Sequence, residues 1–508
     1  MKKVIYLLLS FFCLTGIALS QEVKVLTLEE TIRLARENSR NAKQAETSRT
    51  LGYWSYQVYK SQLRPQLLLT GNLPNYVNRA TPIVQEDGSV QYRTVNQNTS
   101  DLSLGLQQVL PWTNTTVSFE TNLARFDNYA LLGPNDPKTL YQGDPVGLTI
   151  RQPLFNVNPF KWDRLTQPLE YEQSKKSYVQ DMEETSRIAA QFFFRLLVEQ
   201  KNLEIAIQNE QSNDTIYRIE QGRYNIGTST EDQLLQTELN LLTAQAEAQQ
   251  ARLDVQSFSL ELRNFIGLRD DVRLELVPPS DVPEFSIDYE EALQYAKDNR
   301  AEWIEFQLQR LEAERQVADA RARRFSADLI AQFGYNSAQV NSLSGVYDGA
   351  NVATGSRVSL TFSLPILDGG RNKARMNQAR ARQANTEFTV EQNEINFEQE
   401  IANAVRNFDQ IRSQIDIAEK RQEIALKGFE ITNGRYLAGK VGILELNNAR
   451  ETKDAAVRNY ISALQQYWVA YYELRSLTLY DFRNREILYN PLLEYDPKTD
   501  SVIEISRD

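Results

Sequence analysis

Three stretches of this chain repeat, at two fixed distances that differ. Residues 28–38 (LEETIRLAREN) recur as YEEALQYAKDN at 289–299, an offset of 261 residues. GRYNIG at 222–227 recurs as GRYLAG at 434–439, an offset of 212. Leu148-Thr149-Ile150 ahead of Pro153 recurs at the same distance of 212, as Leu360-Thr361-Phe362 ahead of Pro365. A period of about half the 508 residues describes a duplicated domain and not a solenoid. The drop from 261 to 212 puts 49 extra residues into the first copy, between about residue 72 and residue 147.

The beginning of the chain reads as a secretory signal over residues 1–20. Lys2 and Lys3 precede an apolar run from Val4 to Leu14, and Ala18-Leu19-Ser20 offers a small-residue cleavage site before Gln21. Phe12 ahead of Cys13 argues against lipid attachment there, because such signals want a small residue at that position. Without this segment the chain has neither cysteine nor histidine. That removes thiol nucleophiles, imidazole bases, disulfides and the commonest zinc ligands, so neither a metal nor a cofactor is expected. An enzyme built on paired carboxylates would need a convergent Asp/Glu pair, and none stands out. Of the 56 basic residues, Lys2 and Lys3 leave with the signal; the remaining 54 face 67 acidic ones, a charge of −13. Such a chain does not bind nucleic acid through an overall basic field. No run after residue 20 approaches the ~18 apolar residues of a membrane helix, so any membrane crossing is made by strands.

Each copy carries the same order: a short helix, a medium helix, a strand, a loop, a strand and two very long helices. Leu329, Ala331, Phe333 and Tyr335 alternate with polar or small neighbours, as do Val358, Leu360, Phe362 and Leu364. In the first copy, Leu148 and Ile150 alternate with Thr149 and Arg151, and Gln66–Thr70 is the fourth strand. One apolar and one polar face suits a half-buried or membrane-barrel strand. From Pro153 to Gly222 and from Pro365 to Gly434 few helix breakers occur. At ~1.5 Å per residue, helices using most of these spans approach 100 Å. Leu446, Ala449, Lys453, Ala456, Tyr460, Ala463, Tyr467, Ala470, Leu474 and Leu477 step by three and four, a heptad seam with one polar intruder. The corresponding helix of the first copy carries two seams, one through Leu239, Leu242, Leu253 and Leu260, the other through Ala244, Ala248, Ala251 and Leu262. Two seams mean neighbours on both sides.

The expected layout is a first repeat over 21–277, a Pro-rich linker over 278–287, a second repeat over 288–482 and a tail over 483–508. The insertion, about 73–146, has a strand–turn–strand pattern around Pro111-Trp112-Thr113-Asn114. It is expected to form an additional hairpin projecting from the sheet end remote from the helices, with extra barrel strands as the competing arrangement.

The duplicated order, the Gly-Arg-Tyr-x-x-Gly turns, the opening Leu26-Thr27-Leu28-Glu29-Glu30 and the Pro365-Ile366-Leu367-Asp368-Gly369-Gly370-Arg371 junction together resemble the TolC-like outer-membrane efflux proteins. The resemblance covers about residues 26–482. It implies a mainly helical protein with a membrane β-barrel, in which long antiparallel helices form a periplasmic tube. It implies a homotrimer in which each protomer gives four strands to a 12-stranded barrel in outer-membrane lipid. A periplasmic adaptor docks on the helix tips and couples the duct to an inner-membrane efflux pump or secretion transporter. The strand count agrees, since four strands cannot close alone and three sets of four can. A non-conducting periplasm-spanning coiled-coil scaffold or adhesin is the alternative.

The same resemblance assigns roles to particular residues. Glu445, following the tip glycine Gly439, corresponds to a family carboxylate that forms a ring at the closed mouth, and such a ring favours cations. The family's second carboxylate is Asn448 here. Tyr436 matches a tyrosine that holds the inner helices together, but the family's arginine partner is Val441, so the closing network has to differ. Gly222, Arg223, Tyr224 and Gly227, with Gly434, Arg435, Tyr436 and Gly439, are expected at two helix-to-helix turns, where glycine supplies positive φ and the adaptor docks.

Overall fold

The computed structural model describes residues 23–129, 138–268, 272–279, 281–338, 340–499 and 501–504; the expected signal segment lies outside them. They divide into two compact units. One holds residues up to Thr50, Ser174–Trp303 and those from Ile395 on; the other holds Leu51–Gln173 and Ile304–Glu394.

The duplication is visible in the element order. The first copy contains α1 (Leu28–Asn38), α2 (Arg40–Gln62), α3 (Pro159–Asn225) and α4 (Glu231–Phe265); the second contains α5 (Tyr289–Asn299), α6 (Ala301–Ala322), α7 (Arg371–Leu437) and α8 (Ile443–Thr478). The short helices start from matching local chemistry. Glu30 N donates to Thr27 Oγ1 (3.2 Å), and Glu291 N donates to Asp288 Oδ1 (3.0 Å). Glutamates in both first turns complement the helix dipole. No described helix is long and apolar enough to cross a membrane.

In the mainly helical unit the seams explain the packing. The α8 seam is buried along its length, with Leu446, Tyr467 and Leu474 all but inaccessible. Of the two seams on α4, the alanine-rich one packs inward, Ala248 and Ala251 lying against Ala206 and Leu203 of α3. The leucine seam has no partner among the described residues, and Leu239, Leu242, Leu253 and Leu260 are between 51% and 58% exposed. Beneath these helices, β1 (Val23–Leu26) and β7 (Arg273–Leu276) form a short parallel pair that the sequence reading did not anticipate. The segment after Pro279 is fastened by Tyr467 OH to Pro283 O (2.7 Å) and Arg412 Nη1 to Phe285 O (2.8 Å). The tail past Phe482 contributes short strands, two of them pairing over Leu493–Asp496 and Ser501–Glu504.

The second unit is built on one antiparallel sheet. Its strands are β2 (Gln66–Asn72), β3 (Tyr76–Val84), β4 (Val90–Leu110), β5 (Thr115–Asn128), β6 (Thr139–Leu154), β8 (Ser326–Ser337) and β9 (Val352–Ser363). The order is β2-β4-β5-β6-β8-β9, with β3 sharing the β2 edge of β4. All four expected strands, β2, β6, β8 and β9, are present, and two more stand between β2 and β6. The insertion therefore supplies β4 and β5 within the sheet, making six positions across it where four were expected, while β3 and the first residues of β4, Val90–Asn98, form a hairpin in which β5 pairs with β4 only from Gln97 on. The physical reason is register. The alternating apolar residues of β4 and β5 line up with those of their neighbours, so the inserted strands complete both faces.

Candidate functional site at the helix tips

The two helix reversals are near-copies of one turn. At the first, Gly227 N donates to Tyr224 O and Thr228 N to Arg223 O, both at 2.9 Å; at the second, Gly439 N donates to Tyr436 O and Lys440 N to Arg435 O, also at 2.9 Å. Gly227 (φ +75°) and Gly439 (φ +70°) occupy the left-handed region that closes such a turn, where a side chain would be strained. The expectation of positive φ fails for Gly222 and Gly434. Both lie inside the final helical turns, and a Cβ at either would meet nothing within 4 Å. They leave the helix surface bare where an alanine would fit. Tyr224 and Arg435 are exposed beside them.

Tyr436 is only 3% exposed and joins one tip to the other. Its hydroxyl donates to Glu220 Oε1 (3.3 Å), and Glu220 also accepts from Arg223 Nη1 (2.7 Å) and Ser229 Oγ (2.8 Å). The Arg223 guanidinium lies 5.9 Å from the centre of the Tyr436 ring. Burial, and then the Glu220 carboxylate, raise the Tyr436 pKa, so the phenol stays protonated. Val441, the position to which the resemblance assigns an arginine in the family, packs with Phe429 and Ile443 around Ile216, Tyr436 and Leu446. The acid at this contact, Glu220, was not among the residues singled out from sequence.

Three further contacts run down the antiparallel α3–α8 interface. Ile216 meets Leu446. Arg450 donates to Asn213 Oδ1 (2.8 Å) and Ser212 Oγ (3.1 Å). Asn209 Nδ2 donates to Asp454 Oδ2 (2.8 Å), and Asp454 is in turn paired with Lys453 at 3.0 Å. Burial pulls the Arg450 pKa down, opposed by Asp454. Sequence periodicity gave Lys453 as the intruder in this seam; Arg450 lies one position off it and was missed.

Glu445 stands in the first turn of α8, exposed, with Asn448 one turn on and also exposed. Among the described residues no cation pairs with the Glu445 carboxylate. Thr452 Oγ1 donates to Asn448 O (2.7 Å), extending a polar stripe on the side of α8 opposite Leu446 and Arg450. The structure thus brings Tyr436 and Arg223 together, and leaves Glu445 and Asn448 facing away from them. No group of three or more His, Cys, Asp or Glu that could hold a metal occurs among the described residues.

The described residues thus comprise a long antiparallel sheet and a duplicated pair of very long helices. The model of the outer membrane efflux protein family matches residues 107–268 and 288–478, and the chain belongs to that family. It is an outer-membrane efflux duct and not an enzyme, with its helices in the periplasm. Among solved structures, the outer membrane channel CmeC of Campylobacter jejuni aligns over 91% of this chain and 87% of its own, with TM-score 0.65 and 17% identity. A membrane protein from Pseudomonas aeruginosa aligns over 89% and 93%, with TM-score 0.62 and 17% identity. The outer membrane protein VceC of Vibrio cholerae aligns over 89% and 96%, with TM-score 0.60 and 15% identity. No curated protein sequence matches the chain.

Proposed function

We propose that three copies of this chain assemble into one duct, that a periplasmic adaptor docks on its helix tips, and that an inner-membrane efflux pump or secretion transporter delivers the cargo. The observation that carries the trimer is the unpartnered leucine seam of α4. Leu239, Leu242, Leu253 and Leu260 repeat at heptad spacing on a face that nothing among the described residues covers. A seam of that period is buried by another helix, and α7 offers a matching row in Ile417, Ile424 and Ile431, also exposed. A second copy of the chain supplies both halves of such a contact. Cyclic closure satisfies every copy equally.

The tip reading rests on Gly222 and Gly434. Glycine inside a helix costs roughly 1 kcal/mol against alanine, and neither position needs it for backbone geometry. A bare, duplicated surface at the tips fits close approach by a partner's helices. Glu445 and Asn448 sit on the exposed face of α8 close by, where threefold symmetry would turn Glu445 into a ring that favours cations in the lumen. Gly222→Leu with Gly434→Leu is the test. Neither substitution strains the turn, so trimers in the membrane are expected in normal amount while export falls. Export at the parental rate would exclude docking at these positions.

A further inference from the structure

The inserted strands β4 and β5 are paired on both sides and carry the same two-faced pattern as their neighbours. One rung of register-matched residues reads Leu67, Leu106, Phe119, Leu148 and Phe333 from β2 to β8. The adjacent rung, pointing to the other face, reads Gln66, Gln107, Ser118, Thr149, Gln332 and Arg357 and spans the whole sheet. Leu68, Val109, Phe126, Leu140 and Ile330 are apolar exceptions on the polar face. Leu67, Leu106, Phe119 and Phe333 are all exposed. A continuous apolar face of this kind meets lipid, and the polar face lines water.

The inserted strands also span the height of the sheet. Their connecting turn, Pro111–Asn114, lies at the helix end. Gln108 Nε2 donates to Leu63 O (3.0 Å) just after α2, and Asn158 Nδ2 donates to Pro111 O (2.7 Å) just before α3. Trp112 projects from this turn, 75% exposed, as aromatic residues do at a membrane interface.

Resting on the three-copy reading above, we propose that β4 and β5 are membrane-wall strands, and that the barrel closes at eighteen strands, three copies of six. Among the described residues the outer edge of β9 and the outer edge of β2 and β3 have no strand partner. Open edges are not tolerated in lipid, and six strands are too few to close on themselves. The occupant of each edge is a second copy, β9 of one pairing with β2 and β3 of the next. Barrel width grows about linearly with strand number, so the mouth is roughly half as wide again as a twelve-stranded one, in the range where porins keep an aqueous channel.

The mature chain contains no cysteine, so single cysteines report cleanly. Leu106→Cys, Phe119→Cys, Gln107→Cys and Ser118→Cys are labelled in liposomes with a water-soluble maleimide, and the copy number of each variant is checked by native mass spectrometry. The expected result is labelling at Gln107→Cys and Ser118→Cys at least about tenfold faster than at the two apolar-face positions, as alternate lipid and lumen facing requires. Equal rates at all four positions in a three-copy assembly overturn the wall assignment while leaving the trimer intact. Alternating rates with another copy number retain β4 and β5 in the wall but overturn the count of eighteen.

Discussion

Glu220 holds the two helix tips together through three donors, so removing it and removing one donor should differ by a calculable amount. In Tyr436→Phe the carboxylate keeps Arg223 at 2.7 Å and Ser229 at 2.8 Å and loses only a 3.3 Å bond. The expected cost is about 0.5–1 kcal/mol. In Glu220→Ala the buried Tyr436 hydroxyl loses its acceptor, at about 1–2 kcal/mol, and the half-exposed Arg223 pair goes with it, at up to about 1 kcal/mol. Arg223 and Ser229 can turn to water. The total of about 1–3 kcal/mol corresponds to local opening about five- to 150-fold more frequent, against about two- to fivefold for Tyr436→Phe. Hydrogen–deuterium exchange of peptides covering 220–231 and 434–446 measures both, with a peptide from α5 as control. Equal effects from the two variants, or exchange within twofold of the parent in Glu220→Ala, would show that this cluster does not hold the tips.

Three other outcomes follow from the same geometry. Glu183 is fully buried and accepts from Arg36 (2.7 Å) and Arg475 (2.8 Å). Glu183→Ala strands buried charge and should cost about 3–5 kcal/mol in chemical denaturation, and a loss under about 1 kcal/mol would contradict that. Burial holds the Tyr472 phenol up at about 12. A raised acid pKa contributes stability that is complete below the unfolded value of about 10 and is lost as pH rises to about 12, some 2–3 kcal/mol in all. Tyr472→Phe should lack that part of the alkaline loss, and superimposable profiles of near-ultraviolet dichroism against pH would refute the assignment. In bilayer recordings, Glu445→Ala should lower the cation preference roughly fivefold, the effect of about 1 kcal/mol for a charge near the ion in water. An unchanged reversal potential removes Glu445 from the lumen.

What was legible in the sequence is what depends on local period. The duplication, the long helices and the seams of α4 and α8 all come from spacing along one element, and each appears where spacing put it. The alternation in β4 and β5 was legible too, through Leu102, Leu104 and Leu106 and then Val117 and Phe119. Their place in the sheet was not. Strand neighbours are chosen by contacts far apart in sequence, and a projecting hairpin has the same alternation as a wall strand. Glu220 escaped notice for a related reason, since nothing local marks it as the partner of Tyr436, 216 positions later. Arg450 was hidden by the seam itself, because an arginine beside a heptad row reads as a solvated flank until Ser212 and Asn213 are seen across from it. The glycines at 222 and 434 show the reverse error, a turn signature extended one helical turn too far.

The central claim is that three chains share one membrane barrel, and native mass spectrometry of the mature protein, extracted from membranes in mild detergent, tests it most directly. A species of three chains is the expected result, and it would persist across detergents because the sheet edges and the α4 seam are both satisfied only in the assembly. A monomer stable in every detergent would leave two open sheet edges in lipid and would contradict the shared barrel.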